Sequence, residues 1–268
     1  ARAVELDPTF APAYIHAIQI SFYLNDLTQA RRYLGSYLAL SPTEGEGVGA
    51  PLVASLLDAA DSTEVSTLVD RAAPNELVGA WSLLAWFDST EARLQVLRRL
   101  ASGALGANGL ADAPAFWTDE LAGELLQRGH LHQAAGVRGR NSHTLLSLGL
   151  SGVLGADSVS KAFGAWLRTD LASASNGLQW WVGRRDTTAL LRFIRGADSA
   201  ARLARVPRAG RQARSWAAHG RAEISLARQD SAGALRQLLA IPDSLSLCCW
   251  DLKIVSARLL AAAGRDSE

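Results

Sequence analysis

Five histidines, two cysteines and a regularly spaced series of arginines are the residues of this 268-residue chain whose types could do chemistry. His130-Leu131-His132 puts two imidazoles two residues apart in the polar stretch "QRGHLHQ". That spacing could hold a divalent cation weakly, but no cysteine or carboxylate stands beside it at ligand spacing, so a solvated turn is expected. His16 falls beside the apolar face of a helical pattern and reads as a half-buried structural histidine. Cys248 and Cys249 are adjacent, and neighbours on a helix diverge by about 100°. They read as small buried hydrophobes rather than a disulfide. "GEGVGA" at 45–50 has three glycines. A phosphate-cradling loop needs a strand before it and a helix start after it at a longer spacing, so a flexible joint is expected. No nucleophile elbow, kinase catalytic loop or Ser–His–acid set is present. No catalytic residue, cofactor site or metal ligand is assigned, and the chain reads as a non-enzyme.

Arg202, Arg205, Arg208, Arg211 and Arg214 recur every three residues, interrupted by Pro207 and Gly210. The proline implies a short helix, a loop and a second helix start. As a basic contact face the series suits an acidic protein partner or phosphates, and it also suits solvent or intramolecular pairing. Aromatics do not interleave it as base stacking needs, which disfavours nucleic acid. The net charge is only +1, but residues 1–91 are mainly acidic and residues 184–236 mainly basic. The eight tryptophans fit packing between helices. Trp180-Trp181 point to different sides of one helix, so one of them is a candidate to face a groove or a neighbour.

The elements that must position these residues are helical. Apolar residues make up 49% of the chain and charged residues 20%, the balance of a folded protein. Ala, Leu and Arg are abundant, and all three form helices well. An all-α architecture follows. Of the basic residues only Lys161 and Lys253 are lysine, and Met is absent. The bias suggests a bacterial source of high GC content. A first residue inside a helical pattern suggests a piece of a longer polypeptide. No uncharged run reaches the ~20 residues that span a bilayer. A cytoplasmic location is expected, with the outer side of a membrane-anchored parent as the alternative.

The first 42 residues carry a pattern. Tyr14, Ala17, Ile18 and Leu24 recur at helical spacing, and Asn25-Asp26 breaks the run and caps a second helix. Ala30, Leu34 and Tyr37 mark the face of that helix, and Ser41-Pro42 ends it. Leu6-Asp7-Pro8 stands 34 residues before Leu40-Ser41-Pro42. On these residues the segment from Ala11 to Pro42 resembles a tetratricopeptide repeat, whose period is about 34 residues. Ile18, where Gly or Ala is usual, and Tyr37, larger than the usual Ala, depart from the family pattern. Two later segments are similar. One has Leu121, Ala122, Leu125, Gly129 and Ala134, and the other has Ala222, Gln229-Asp230 and Ala234.

The expected fold is a superhelical array of antiparallel helix pairs, that is, degenerate tetratricopeptide-like repeats. Residues 1–42 are the end of one repeat plus a well-matched one, and 43–51 a Gly-rich joint. Residues 52–196 are degenerate helical repeats, 197–213 an Arg-rich connection, and 214–268 terminal repeats of a truncated array. The resemblance implies a protein-interaction scaffold that holds a protein or peptide in its concave groove, with Ile15, Gln19 and Phe22 as groove residues. Phe22 has a second expectation, contact with the next repeat. The style of the opening also resembles repeat regions of bacterial serine/threonine kinases and transcriptional regulators, which implies a signalling or regulatory parent. A structural or oligomerising solenoid and an enzyme with an unfamiliar site are the competing classes.

Overall fold

Every regular element is helical among the residues that the computed structural model describes, which are 2–42, 45–84, 91–103, 113–137, 141–241 and 250–264. The chain divides into two compact units, Ala1–Arg140 and Asn141–Glu268. This division falls inside the stretch read from sequence as degenerate repeats.

The first unit contains α1 (Arg2–Leu6), α2 (Ala11–Tyr23), α3 (Leu27–Ala39), a 3-10 turn (Gly45–Gly49), α4 (Ala50–Asp58), α5 (Ser62–Arg71), α6 (Pro74–Leu83), α7 (Glu91–Ala101), α8 (Ala113–Gln127) and α9 (Leu131–Gly136). Its core gathers Ile18, Phe22, Leu34, Val53, Leu83 and Leu97. Trp81 and Trp117 meet edge to face with ring centroids 5.0 Å apart. Glu124 of α8 is buried, yet it is fully engaged. One carboxylate oxygen lies 3.2 Å from Arg93 of α7, and the other accepts from Arg128 at 2.7 Å. Two guanidiniums thereby compensate the burial of one carboxylate and tie α7 to α8.

The Gly-rich joint expected at 45–50 is instead a packed turn. Gly47 and Gly49 are buried. A Cβ at Gly49 would overlap the backbone of Gly79 and Ala80. Glycine is needed there because two backbones approach more closely than any side chain allows.

The second unit contains α10 (Ser142–Leu150), α11 (Ala156–Thr169), α12 (Leu171–Ser175), α13 (Leu178–Gly183), α14 (Thr187–Leu203), α15 (Pro207–Ala227), α16 (Ser231–Leu239) and α17 (Trp250–Ala262). Trp180 and Trp181 do point apart, but both are buried. Trp180 donates its indole N–H to the Ser160 hydroxyl at 3.0 Å and carries Arg184 over its ring. Trp181 packs between Phe163 and Phe193. A smaller core joins Ala222, Ala234 and Leu238 to Val255 and Leu259 of α17.

Four helix pairs, α2–α3, α8–α9, α13–α14 and α15–α16, share one turn. Asn25, Gly129, Arg185 and Gln229 each adopt a left-handed backbone, with φ between 56° and 76°. The next residue caps the second helix, and its N–H donates to the carbonyl five positions back. These bonds are Asp26 to Ser21, His130 to Leu125, Asp186 to Trp181 and Asp230 to Ser225, at 2.8 to 2.9 Å. The first helix thus closes in a Schellman-type motif while the second opens on its N-cap. Asp26, Asp186 and Asp230 also accept from the backbone N–H three residues on. His130 makes no such side-chain bond. The positions eight before and four after the cap are Ile18 and Ala30, Ala122 and Ala134, Leu178 and Leu190, and Ala222 and Ala234. None is more than 2% exposed. The α13–α14 pair departs from the others in having Leu190 where the other three second helices have Ala.

Candidate functional site

The expected groove residues lie inside the first unit. Phe22 is buried in the core, Ile15 packs against that core, and the Gln19 amide donates to the Ser82 carbonyl of α6 at 3.2 Å. The face of α2 that they share is occupied by its own neighbour. Phe22 is 2% exposed and belongs to the core of its own unit. His16 is exposed rather than half-buried, because at about 100° per residue it falls on the side of α2 roughly opposite the Tyr14–Ala17–Ile18 stripe. His130 and His132 are exposed on the turn before α9 and in its first turn. Among the described residues no three His, Cys, Asp or Glu side chains converge as metal ligands. Cys248 and Cys249 lie outside the described residues.

The arginine series sits in the second unit. Arg202 closes α14, Arg205 lies in the three-residue break, and Arg208, Arg211 and Arg214 follow along α15. Pro207 is in the first turn of α15, where its missing N–H costs nothing. All five arginines are exposed and none makes an ion pair among the described residues. Asp198, which borders the same recess as Arg211 and Arg214, is already engaged, since it accepts from Arg221 at 2.6 Å. Arg211 and Arg214 line a shallow recess of about 350 Å³ beside that pair, with Ser215 and Gln237.

Next to this face lies a larger depression of about 940 Å³, bounded by the end of α11, by α12, and by the facing ends of α14 and α15. Leu171, Ala200, Leu203, Val206 and Trp216 supply its apolar lining, and Arg168, Asp170 and Arg208 its charges. The local sequence explains its shape. Gly196 faces Leu171, and a Cβ there would stand 3.2 Å from that leucine. Ala200 and Ala204 leave space where longer side chains would fill it. Asp170 caps α12, accepting from the Ala172 and Ser173 amides and, at 2.6 Å, from the Ser173 hydroxyl. The Ser173 hydroxyl above all holds its carboxyl below the ordinary aspartate value; burial opposes it, and the Ser173 and Ala172 amides add to the lowering.

No protein-family model, curated protein or solved structure matches the chain.

Sequence reasoning located the arginines and the break at Pro207 but not the depression beside them. The apolar pair Leu203 and Val206, flanked by Arg202 and Arg205, was the available signal. Its meaning depended on α12, a five-residue helix too short for a periodic pattern to announce.

Proposed function

We propose that the chain is a non-catalytic protein-interaction scaffold built of tetratricopeptide-like helix pairs. The observation that carries this reading is the shared turn of four pairs, with the same left-handed residue, the same back-bond and the same two buried positions. One such pair cannot bury its apolar stripe alone, so the pairs of each unit stack in a superhelical manner and share a core. What remains for function is their outer surface. In the second unit that surface offers an open apolar depression beside arginines that make no ion pair among the described residues. Such an arrangement holds a polypeptide better than it performs chemistry, which needs convergent acids, bases or nucleophiles.

Selection of displayed random peptides on the immobilised chain tests the reading. The expected outcome is a set of sequence-related binders with dissociation constants in the roughly micromolar range of single-motif recognition. A library that yields no binder refutes it.

A further inference from the structure

We infer that the depression between α12, α14 and α15 docks an acidic peptide segment that carries apolar anchors. This rests on the scaffold reading and adds the chemistry of the partner.

The apolar part comes from the lining. Leu203 is 78% exposed and Val206 60%, side by side at the break between two helices. Trp216, half-buried, lines the same space with an aromatic side chain. A contiguous apolar concavity of this size is the kind of surface that a partner's side chains cover.

The acidic part comes from the charge balance. Asp170 is the one carboxylate among the lining residues, and its oxygens are committed to capping α12. Arg168 donates to the Gly164 carbonyl of its own helix and has no carboxylate partner among the described residues. Arg208 has none either, and Arg202 and Arg205 flank Leu203 and Val206 in the open. The positive groups of the lining therefore come from α11 and α15, and Arg202 and Arg205 adjoin Leu203 and Val206 in the chain. Arg168 and Arg208 thus face the apolar surface from two different helices. A fatty acid brings a single carboxylate, which two arginines on separate helices do not share without leaving the remaining basic groups unmatched. A peptide with several Asp or Glu residues around two or more Leu, Ile or Phe side chains matches both features.

The test uses the whole chain and the peptides selected as above, with binding read by anisotropy of the labelled peptide and by Trp fluorescence. Enrichment of Asp and Glu around aliphatic or Phe anchors is expected. The double variant Arg168→Glu, Arg208→Glu should weaken binding at least tenfold, and Leu203→Ser at least threefold. Arg236→Glu, on α16, should leave binding unchanged. Circular dichroism melts of each variant verify that these exposed substitutions preserve the fold. If the selected peptides carry no acidic excess, or bind the groove variants as well as the parent, the inference is overturned while the scaffold reading stands. A response to laurate with no peptide able to compete also overturns it. A library without binders overturns both.

Discussion

Glu124 shows how one residue sets a tolerance. Its carboxylate is 5% exposed and lies between Arg93 and Arg128. Replacing it with Gln keeps the volume but leaves two guanidiniums facing a neutral amide. Removing one member of a buried ionic set costs about 3–5 kcal/mol. Glu124→Gln should therefore lower stability by roughly 3 kcal/mol in urea denaturation, far more than loss of the exposed Arg31–Asp58 pair, which is worth about 0–1 kcal/mol. Asp170 carries a pH signature. Its folded value is held below the ordinary ~3.9 of aspartate, so its contribution is fully present above about pH 4 and is lost as pH falls through the lower folded value. Asp170→Ala should cost about 1 kcal/mol at neutral pH, the usual worth of an N-cap. The gap between variant and parent, followed by urea titration at successive pH values, should close only in that acidic window.

At the scale of elements, the recurring turn and the close helix contacts make opposite predictions for glycine. Gln229 occupies the left-handed position that Gly129 fills in the α8–α9 turn. A side chain in that region costs about 1 kcal/mol or more, and Gly relieves it at a smaller cost in chain entropy. Gln229→Gly should raise stability by about 0.5–1 kcal/mol, seen as a higher melting midpoint. Gly220 lies in α15 where it crosses α14, and a Cβ there would meet Ile194 at 2.8 Å and Phe193 at 3.5 Å. Ala gains about 1 kcal/mol of helix propensity over Gly, but overpacking costs about 1–3 kcal/mol, so Gly220→Ala should destabilise on balance. Gly49→Ala should be the most damaging of the three, because the obstruction is the backbone of α6, which cannot turn aside as a side chain can.

For the whole molecule, a net charge of +1 conceals an uneven distribution. Acidic residues dominate positions 1–91, and the arginines concentrate in 184–236. Exposed charges act over a screening distance of about 10 Å at 0.1 M salt and about 3 Å at 1 M. The complex with an acidic peptide should weaken by roughly tenfold between 50 and 500 mM salt, since its arginines are exposed and have no ion-pair partner among the described residues. The melting midpoint should move little over the same range, because the fold rests mainly on apolar burial.

The all-α class was legible in composition and periodicity, since both are set by each residue's own preferences. So were the turns at Asn25-Asp26, Gly129-His130 and Gln229-Asp230, because a left-handed residue followed by a cap is a local event. The arginine series and its break at Pro207 were equally plain. Periodicity told which side of α2 was apolar, but not that Ile15 and Phe22 on the adjoining side would be covered or that Gln19 would meet α6, whose Ser82 lies 63 positions away. It could not tell a loose run of glycines from a turn pressed against another helix, because that contact belongs to Gly79 and Ala80 as much as to Gly49. The sequence by itself determined which segments are helices and where they turn, through short-range bonding and sterics. Only the tertiary structure decided which faces are covered and which groove stays open, because burial is a property of pairs of surfaces distant along the chain.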